Sequence, residues 1–228
     1  MNPSRAFVTV VVLGAASSVS AQNAQEVFTK VSPSVVVVKG KTGQGSGVAV
    51  SIRAEGNGKQ TAIVTNCHVV EGNVVVRVTH QSETTVAYVR SCDAERDIAI
   101  VELHGELPIV STRSATALKI GEPVYAVGAP RGLDLSISEG IVSQLRGAEV
   151  VTRTMPLIQT TAAISPGSSG GGLFDAQGRL VGITTLYLKD AQSLNFAIPS
   201  DWIAEAPTRG TVRATSKNTS PSSKPPPS

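Results

Sequence analysis

The chain contains, between two apolar segments, the stretch Ile164-Ser165-Pro166-Gly167-Ser168-Ser169-Gly170-Gly171-Gly172-Leu173-Phe174. Mixed glycine and serine are usual in flexible linkers, but here Gln159–Ile164 lies before the cluster and the apolar Leu180–Thr184 soon after it. Glycines around Ser169 favour a tight backbone arch that exposes a hydroxyl and directs main-chain N–H groups into one concavity. Such a concavity can hold the charge of an acyl-transfer transition state. We therefore expect Ser169 to be a nucleophile and the N–H groups of Gly167 and Ser169 to form an oxyanion hole.

Two further residues stand where a strand pattern ends or begins. His68 follows the apolar run Ala62–Thr65, and Asp97 directly precedes the apolar run Ile98–Val101. A side chain at a strand end can face a cleft while the strand fixes its position. An ionised aspartate beside a core strand needs a partner, because burying an unpaired charge is costly. Alternatively, His68 is a structural histidine and Asp97 a turn residue like its neighbour Asp93.

These three side chains together support one chemistry. Serine is a poor nucleophile until a base takes its proton, and His68 can do so while Asp97 holds its other N–H group. The order histidine, aspartate, serine fits the chymotrypsin arrangement and neither the subtilisin nor the α/β-hydrolase order. The other histidines, His80 and His104, lie in polar contexts. The sequence therefore predicts a His68–Asp97–Ser169 catalytic triad.

Composition and apolar spacing predict an all-β domain. Aromatic residues make up only 4% of the chain, whereas Val, Ile, Thr and Gly are abundant. Helical periodicity is confined to Ala24–Val31 and Ser200–Glu205. Short apolar runs separated by Gly, Asn, Asp and Pro are typical of barrels or sandwiches. These runs are Ser34–Val38, Ala62–Thr65, Val74–Val78, Ile98–Val101, Val124–Val127 and Leu180–Thr184.

Both ends of the 228-residue chain are predicted to lie outside the fold. Residues 1–21 combine Arg5, an apolar run and small residues at the end, which is the pattern of a secretory signal peptide. Residues 208–228 are rich in Ser, Pro, Lys and Arg, so we expect a flexible basic tail that cannot bury enough surface to fold. We therefore expect an exported protein, periplasmic or secreted, whose domain spans residues 22–207.

The charge distribution gives no indication of a nucleic-acid partner. Of 20 basic residues, Arg5 and four tail residues lie outside the domain, which leaves 15 basic against 17 acidic residues. Four dispersed tail cations are no dense basic patch, and the tail is either a solvated linker end or a weak anchor for anionic surfaces. We expect polypeptide substrates, no nucleic-acid partner, no cofactor, no metal and no transmembrane segment in the mature chain.

Longer segments around the three residues form an ordered set. They are Lys30–Val38, Gly43–Val48, Thr65–Val70, Asp97–Val101, Ser138–Ser143, Pro166–Gly171 and Asn195–Ser200. In this order they resemble the HtrA/DegP family of trypsin-like (chymotrypsin-fold) serine proteases over roughly residues 24–202. Family members usually carry PDZ domains after the protease domain, whereas here only the short tail follows, so the resemblance covers the protease domain alone.

The resemblance implies two perpendicular six-stranded β-barrels with the active site between them. The first barrel, about residues 29–112, would carry His68 and Asp97, and the second, about residues 118–200, would carry Ser169. Members of the family usually degrade misfolded proteins outside the cytoplasm, often as trimers. The resemblance thus implies an exported serine endopeptidase, with envelope protein quality control as its role.

The resemblance also indicates a specificity pocket. Ala163 stands six residues before Ser169, where trypsin-type enzymes place the aspartate that binds Arg or Lys, so cleavage after basic residues is not expected. A small or medium uncharged side chain is expected instead. The residues implied to line the pocket are Ala163, Ile164, Thr184, Thr185 and Asn195.

Four positions depart from the family pattern. Thr161 and Asn195 replace an aspartate and a glycine, while Ser168 and Gly172 replace an asparagine and a proline near the nucleophile. The first two departures motivate an alternative function, a catalytically silent module that binds peptides or a partner protein in the same cleft. A purely structural or adhesive β-protein would leave the order of the three site residues to chance.

The two cysteines lie close to the proposed triad in sequence. Cys67 precedes His68 directly, and Cys92 lies five residues before Asp97. Because an exported protein meets an oxidising environment, a Cys67–Cys92 disulfide is one interpretation. Two separate buried cysteines are the other. A zinc site is not expected, since two cysteines without a cysteine–histidine ligand pattern do not form one.

Overall fold

The computed structural model of the protein describes residues 24–41, 43–53, 58–130, 134–146, 156–187 and 194–208. The predicted signal peptide and residues 209–228 of the predicted tail lie outside the described residues. Within the ranges that are described, no helix is both long and apolar enough to cross a membrane.

The first half of the domain forms a closed antiparallel barrel. It is preceded by helix α1 (Ala24–Val31) and a 3-10 turn at Ser32–Ser34. Its strands are β1 (Val35–Lys39), β2 (Gln44–Arg53), β3 (Lys59–Thr65), β4 (Val75–His80), β5 (Glu83–Asp93) and β6 (Ile98–Leu103). They pair in the order β1-β2-β3-β6-β5-β4, and β4 pairs back to β1. The one-turn helix α2 (Cys67–Val70) follows β3.

The second half forms another closed antiparallel barrel. Its strands are β7 (Pro123–Gly128), β8 (Ser136–Arg146), β9 (Leu157–Thr160), β10 (Gly172–Asp175), β11 (Leu180–Tyr187) and β12 (Asn195–Pro199). They pair in the order β7-β8-β9-β12-β11-β10, and β10 pairs back to β7. Three 3-10 helices flank the barrel at Ala115–Ala117, Ser200–Ala204 and Ala206–Thr208. The two six-stranded barrels confirm the predicted all-β, chymotrypsin-like fold.

Of the two predicted helical segments, one is an α-helix in the structure and the other is not. Helix α1 has the predicted bounds, and its buried residues Val27 and Val31 face the core. The segment from Ser200 is a 3-10 helix rather than an α-helix. It is only five residues long and directly follows β12, and short connecting segments of this kind are often 3-10 rather than α-helical.

The packing of strand β6 explains why its first four residues, Ile98–Val101, are an uninterrupted apolar run. Ile98 and Ile100 join a core that contains residues of both barrels. Ala99 and Val101 belong to the core inside the first barrel. Because successive side chains of a strand point to opposite faces, both faces of β6 are buried over Ile98–Val101. Asp97 therefore lies at the end of a strand that is held from two sides.

The linker between the barrels is anchored to both. Its backbone bridges β2 on one side and β11 on the other. Arg113 in the linker pairs with Glu122 and with Asp175, whose side chain is fully buried. Burial opposes the ionisation of Asp175, but hydrogen bonds from the backbone and guanidinium of Arg179 outweigh it and hold its pKa below the usual range. These paired charges tie the linker at Arg113 to the second barrel.

Candidate active site

His68 lies on the one-turn helix α2, directly after strand β3. Its neighbours Cys67, Val69 and Val70 are buried in the core of the first barrel and anchor the turn. The His68 side chain itself is 48% exposed. The three apolar residues of the turn are thus buried, and the imidazole of His68 is left on the side of the turn that faces away from the core.

Asp97 lies opposite His68 at the start of β6. Its carboxylate accepts hydrogen bonds from the backbone N–H of His68 at 3.0 Å and from His68 Nδ1 at 2.9 Å. The hydroxyl of Thr185 donates to its other oxygen at 2.7 Å. Asp97 has a φ of +58°, a strained left-handed conformation, and Asn66 Nδ2 donates to its carbonyl at 3.0 Å. The strained backbone is therefore held by Asn66, the residue that joins β3 to the helix α2 on which His68 lies.

The electrostatics of this pair define the tautomer of His68. Burial opposes ionisation of Asp97, but hydrogen bonds and the Coulomb interaction with His68 outweigh it and hold the pKa of Asp97 below its usual range. An ionised carboxylate can only accept hydrogen bonds, so Nδ1 of His68 carries the proton in this contact. The lone pair of Nε2 is then the basic position of the ring.

Ser169 lies in the loop between β9 and β10 of the second barrel. Its hydroxyl donates to the carbonyl oxygen of Thr185 at 2.8 Å. Among the described residues no hydrogen bond joins this hydroxyl to His68. Thr185 nevertheless connects the two halves of the site, because its own hydroxyl binds Asp97 while its carbonyl binds Ser169. The structure thus forms the histidine–aspartate contact and holds Ser169 beside it in a different hydrogen bond.

The backbone before Ser169 forms a tight turn. Residues Ser165–Ser168 form a turn closed by the hydrogen bond from Ser168 N–H to Ser165 O at 2.9 Å. Pro166 and Gly167 are its central residues, and the φ of +94° at Gly167 is that of a type II turn. The N–H groups of Gly167 and Ser169 have no acceptor within the described part of the chain. Two main-chain donors on alternate residues are therefore free to bind an anionic oxygen.

A polar cavity of about 160 Å³ lies against this loop. Two of the predicted pocket residues, Ala163 and Thr184, line it. Four serines contribute to the same lining: Ser136, Ser138, Ser165 and Ser168. None of the described residues that line the cavity is charged.

The other three predicted pocket residues lie outside this lining. Ile164 packs in the core of the second barrel. Thr185 is buried against Asp97. Asn195 is buried at the start of β12, where its backbone pairs with the neighbouring strands β9 and β11.

Comparison with known proteins identifies the family. Residues 45–183 match the family model described as the trypsin-like peptidase domain. The chain belongs to the trypsin-like peptidase family. The protein of Synechocystis sp. named as serine protease HhoB is 38% identical over 162 residues, which are 68% of this chain and 38% of that protein. A periplasmic serine endoprotease of Pseudomonas putida, described as DegP-like, is 40% identical over 61% of this chain and 30% of its own length.

Solved structures agree with this family. The HtrA-type protease AlgW with a tripeptide has a TM-score of 0.69 at 30% identity, over 77% of this chain and 59% of that chain. The HtrA/DegP resemblance is thereby confirmed. This trypsin-like peptidase spans less than two fifths of the two curated relatives named above, at 38% and 30% of their lengths.

The contacts that three residues make in the site of this trypsin-like peptidase were not predicted from its sequence. Thr185 was expected in the specificity pocket but bridges Asp97 and Ser169. Asn66 and Ser46 were not predicted as site residues, although each donates to a backbone carbonyl of the site. The one local signal is that Ser46 lies between Gly45 and Gly47, so the chain has a second glycine-framed serine.

The disulfide of this trypsin-like peptidase joins α2 to β5. Cys67 and Cys92 are bonded, with their Cα atoms 4.9 Å apart. Of the two interpretations of the cysteines, the structure therefore contains the bridge. Because Cys67 precedes His68 directly, the bridge ties the histidine turn to the barrel wall.

Loss of this bridge is expected to lower stability. The Cys67→Ala/Cys92→Ala double variant should have a free energy of unfolding about 3–4 kcal/mol lower than the wild type, because the unfolded chain regains the entropy of a 25-residue loop. Urea denaturation of the oxidised wild type and the variant measures the difference. Wild-type protein treated with a thiol reductant is the control and should approach the variant. Equal midpoints for the oxidised wild type and the variant would contradict the expectation.

Proposed function

We propose that the protein is an exported serine endopeptidase in which Ser169, His68 and Asp97 form the catalytic triad. The observation that carries this proposal is the double contact of Thr185, whose hydroxyl binds Asp97 and whose carbonyl holds the Ser169 hydroxyl. This places a serine from the second barrel beside a histidine–aspartate pair from the first. The relatives named as serine proteases support the same chemistry.

The reaction requires one movement of Ser169. Rotation about its Cα–Cβ bond transfers the hydroxyl from the Thr185 carbonyl towards Nε2 of His68. As Oγ bonds to the substrate carbonyl carbon, its proton passes to Nε2 and the imidazolium is stabilised by Asp97. The N–H groups of Gly167 and Ser169 receive the oxyanion.

The remaining steps restore the enzyme. Collapse of the tetrahedral intermediate breaks the C–N bond, and Nε2 of His68 gives its proton to the leaving amine. A water molecule then attacks the acyl-enzyme, again with His68 as general base, and releases the carboxylic acid and the Ser169 hydroxyl. No cofactor or metal is required for any of these steps.

The cavity beside the loop supports a proposal for specificity. Ala163 offers no carboxylate, and the lining is uncharged and rich in hydroxyl groups. An arginine or lysine side chain would lose hydration there without gaining an ionic partner. We propose that a small or medium uncharged residue precedes the scissile bond and binds in the cavity that Ala163 and Thr184 line.

The biological setting is proposed from the relatives. The DegP-like relative is named as a periplasmic endoprotease, and residues 1–21 have the pattern of a signal peptide. We propose an exported, periplasmic or secreted enzyme that acts on polypeptides in protein quality control. A trimeric assembly is proposed on the resemblance alone.

One observation favours a second function, a catalytically silent peptide-binding module. The Ser169 hydroxyl is hydrogen-bonded to Thr185 rather than to His68. Against this stands Thr161, which replaces the aspartate of the family but still accepts a backbone hydrogen bond from Ile141 at 3.0 Å. Thr161 therefore still supplies a hydrogen-bond acceptor at this position, although it is not an aspartate.

An activity-based probe distinguishes the two functions. We expect an organophosphonate to label the folded wild-type protein and the Ser111→Ala variant, which lacks an exposed linker serine, but not Ser169→Ala. Mass spectrometry of the labelled peptide identifies the modified residue. Labelling that survives Ser169→Ala would remove Ser169 from the mechanism. A folded wild type that remains unlabelled would favour the binding module.

A further inference from the structure

Ser46 lies on strand β2 of the first barrel, and no hydrogen bond in the described part of the chain joins it to His68 or Asp97. It is fully buried, and two of its hydrogen bonds go to the nucleophile loop of the other barrel. Its backbone N–H donates to the carbonyl of Ser169 at 2.8 Å. Its hydroxyl donates to the carbonyl of Gly167 at 2.9 Å. Ser46 thus holds the two residues whose N–H groups form the candidate oxyanion hole.

The direction of the Ser46 hydroxyl is determined by a third partner. The N–H of Ala129, which follows β7, donates to Ser46 Oγ at 2.9 Å. Because Oγ accepts that bond, its single proton is left for the Gly167 carbonyl. The hydroxyl therefore acts as a fixed donor in a buried position, where an unpaired carbonyl would be costly.

The peptide groups around the nucleophile are consequently held at both ends. The Gly167–Ser168 peptide is bound through its carbonyl by Ser46 and through its N–H by Ser165. The Ser169–Gly170 peptide is bound through its carbonyl by Ser46 and through its N–H by Thr184. The N–H groups of Gly167 and Ser169 belong to the peptides that adjoin these two, so fixing both planes also limits how far these donors can turn before charge develops.

Ser46 also connects this loop to the element that carries the base. The hydroxyl of Thr65, at the end of β3, donates to the Ser46 carbonyl at 2.6 Å. Gly170 packs so closely that a Cβ atom there would lie 2.1 Å from the Ser46 carbonyl oxygen. One residue of β2 thus sets the position of the loop around Ser169 relative to β3, which leads into His68.

We infer that Ser46 is a positioning residue that holds the oxyanion loop in its catalytic geometry from the opposite barrel. This inference rests on the proposed peptidase function for its kinetic consequences. Ser46 touches no reacting atom, and its role is to fix the carbonyls of Gly167 and Ser169. Its loss should therefore weaken stabilisation of the transition state and leave ground-state peptide binding nearly intact.

The Ser46→Ala variant tests this inference by kinetics on a peptide substrate. We expect kcat to fall by roughly 10²-fold, since small displacements of catalytic groups cost about that much, while KM stays within about threefold of the wild type. Affinity for a peptide boronate should fall in proportion to kcat. The pH dependence of kcat/KM should be unchanged, because His68 and Asp97 keep their contacts.

Ser91→Ala is the matched control. Ser91 is likewise a fully buried strand serine of the first barrel, but its hydroxyl has no partner among the described residues. Its kinetics should equal those of the wild type. A Ser46→Ala variant that folds and keeps kcat within about twofold of the wild type would overturn the inference. If Ser46→Ala does not fold, Ser46→Cys, of similar volume and weaker donor strength, takes its place with the same expectation.

A measurement that needs no activity separates this inference from the proposed function. In the full chain carrying Ser169→Ala, hydrogen exchange of the Ser168 amide should accelerate about tenfold or more when Ser46→Ala is added. The Val142 amide, bonded to Glu122 elsewhere in the second barrel, should not change. Unchanged Ser168 exchange would refute the role of Ser46. An inactive, unlabelled wild type with accelerated exchange would refute the peptidase function and retain Ser46 as the residue that holds the loop.

Discussion

Replacing His68 with alanine should reduce kcat for peptide hydrolysis by about 10⁶-fold, the loss seen when the base of a serine triad is removed. The reason lies in the geometry of the site. His68 is the histidine within hydrogen-bond distance of Asp97, and its Nδ1 proton is held there at 2.9 Å. Without the imidazole, nothing in the described site can take the Ser169 proton. Steady-state kinetics of the purified mature protein on a fluorogenic peptide measure the effect.

The other two histidines provide matched controls. His80 binds the Pro33 carbonyl through Nε2 at 2.8 Å, and His104 lies edge-on against the ring of Tyr88. Neither approaches the nucleophile loop, so His104→Ala should retain the wild-type kcat. Comparable losses in His68→Ala and His104→Ala would show that stability, and not general-base catalysis, controls the rate.

The Asp97→Asn variant should lose about 10⁴-fold in kcat. An asparagine can present its NH₂ group to His68, which favours the tautomer with the proton on Nε2, and that tautomer cannot accept the proton of Ser169. The second hydrogen bond, from Thr185, keeps the side chain in place, so the loss should be in kcat rather than in folding. Steady-state kinetic assays measure kcat, and a thermal melt measures the stability of the fold.

Asp93→Asn is the control for this variant. Asp93 is buried to a similar degree four residues earlier, but its carboxylate faces Arg96. We expect its kcat to stay near that of the wild type. A loss in Asp93→Asn as large as that in Asp97→Asn would refute the specific role of Asp97.

The Asp97→Asn variant should also differ from the wild type in how its free energy of unfolding depends on acid pH. Because folding lowers the pKa of Asp97, its carboxylate stabilises the native state above the ordinary aspartate pKa of about 4. This contribution is lost as the pH falls through the lowered folded-state pKa. The free energy of unfolding should therefore fall less steeply with acid in Asp97→Asn than in the wild type.

The choice between Asp93 and Asp97 shows what a sequence pattern can predict. Both are acidic and both precede an apolar strand, but Asp97 is next to the first strand residue. A strand that is apolar on both faces must be buried, so its end residue is carried to the edge of the core. The pattern therefore predicted which carboxylate lies near His68. It carried no information about the left-handed backbone of Asp97 or the contact from Asn66 that supports it.

The specificity pocket shows the limit of such prediction. Ala163 and Thr184 line one cavity, whereas Ile164 packs into the barrel core. Adjacent residues in an irregular loop point in directions that no strand or helix period determines. For this reason the residues proposed from the family pattern lie around the site in different environments.

The apolar runs of the sequence by themselves predicted the strands of a barrel or sandwich, and the family resemblance implied two barrels. Apolar runs that predict strands and glycines that predict the turn around Ser169 are both local signals. Only the tertiary structure decided that Thr185 joins Asp97 to Ser169 and that Ser46 holds the oxyanion loop. The hydroxyl of Ser46 and the carbonyl of Gly167 are 121 residues apart in sequence. Such contacts exist only after the two barrels pack together, and no local pattern encodes them.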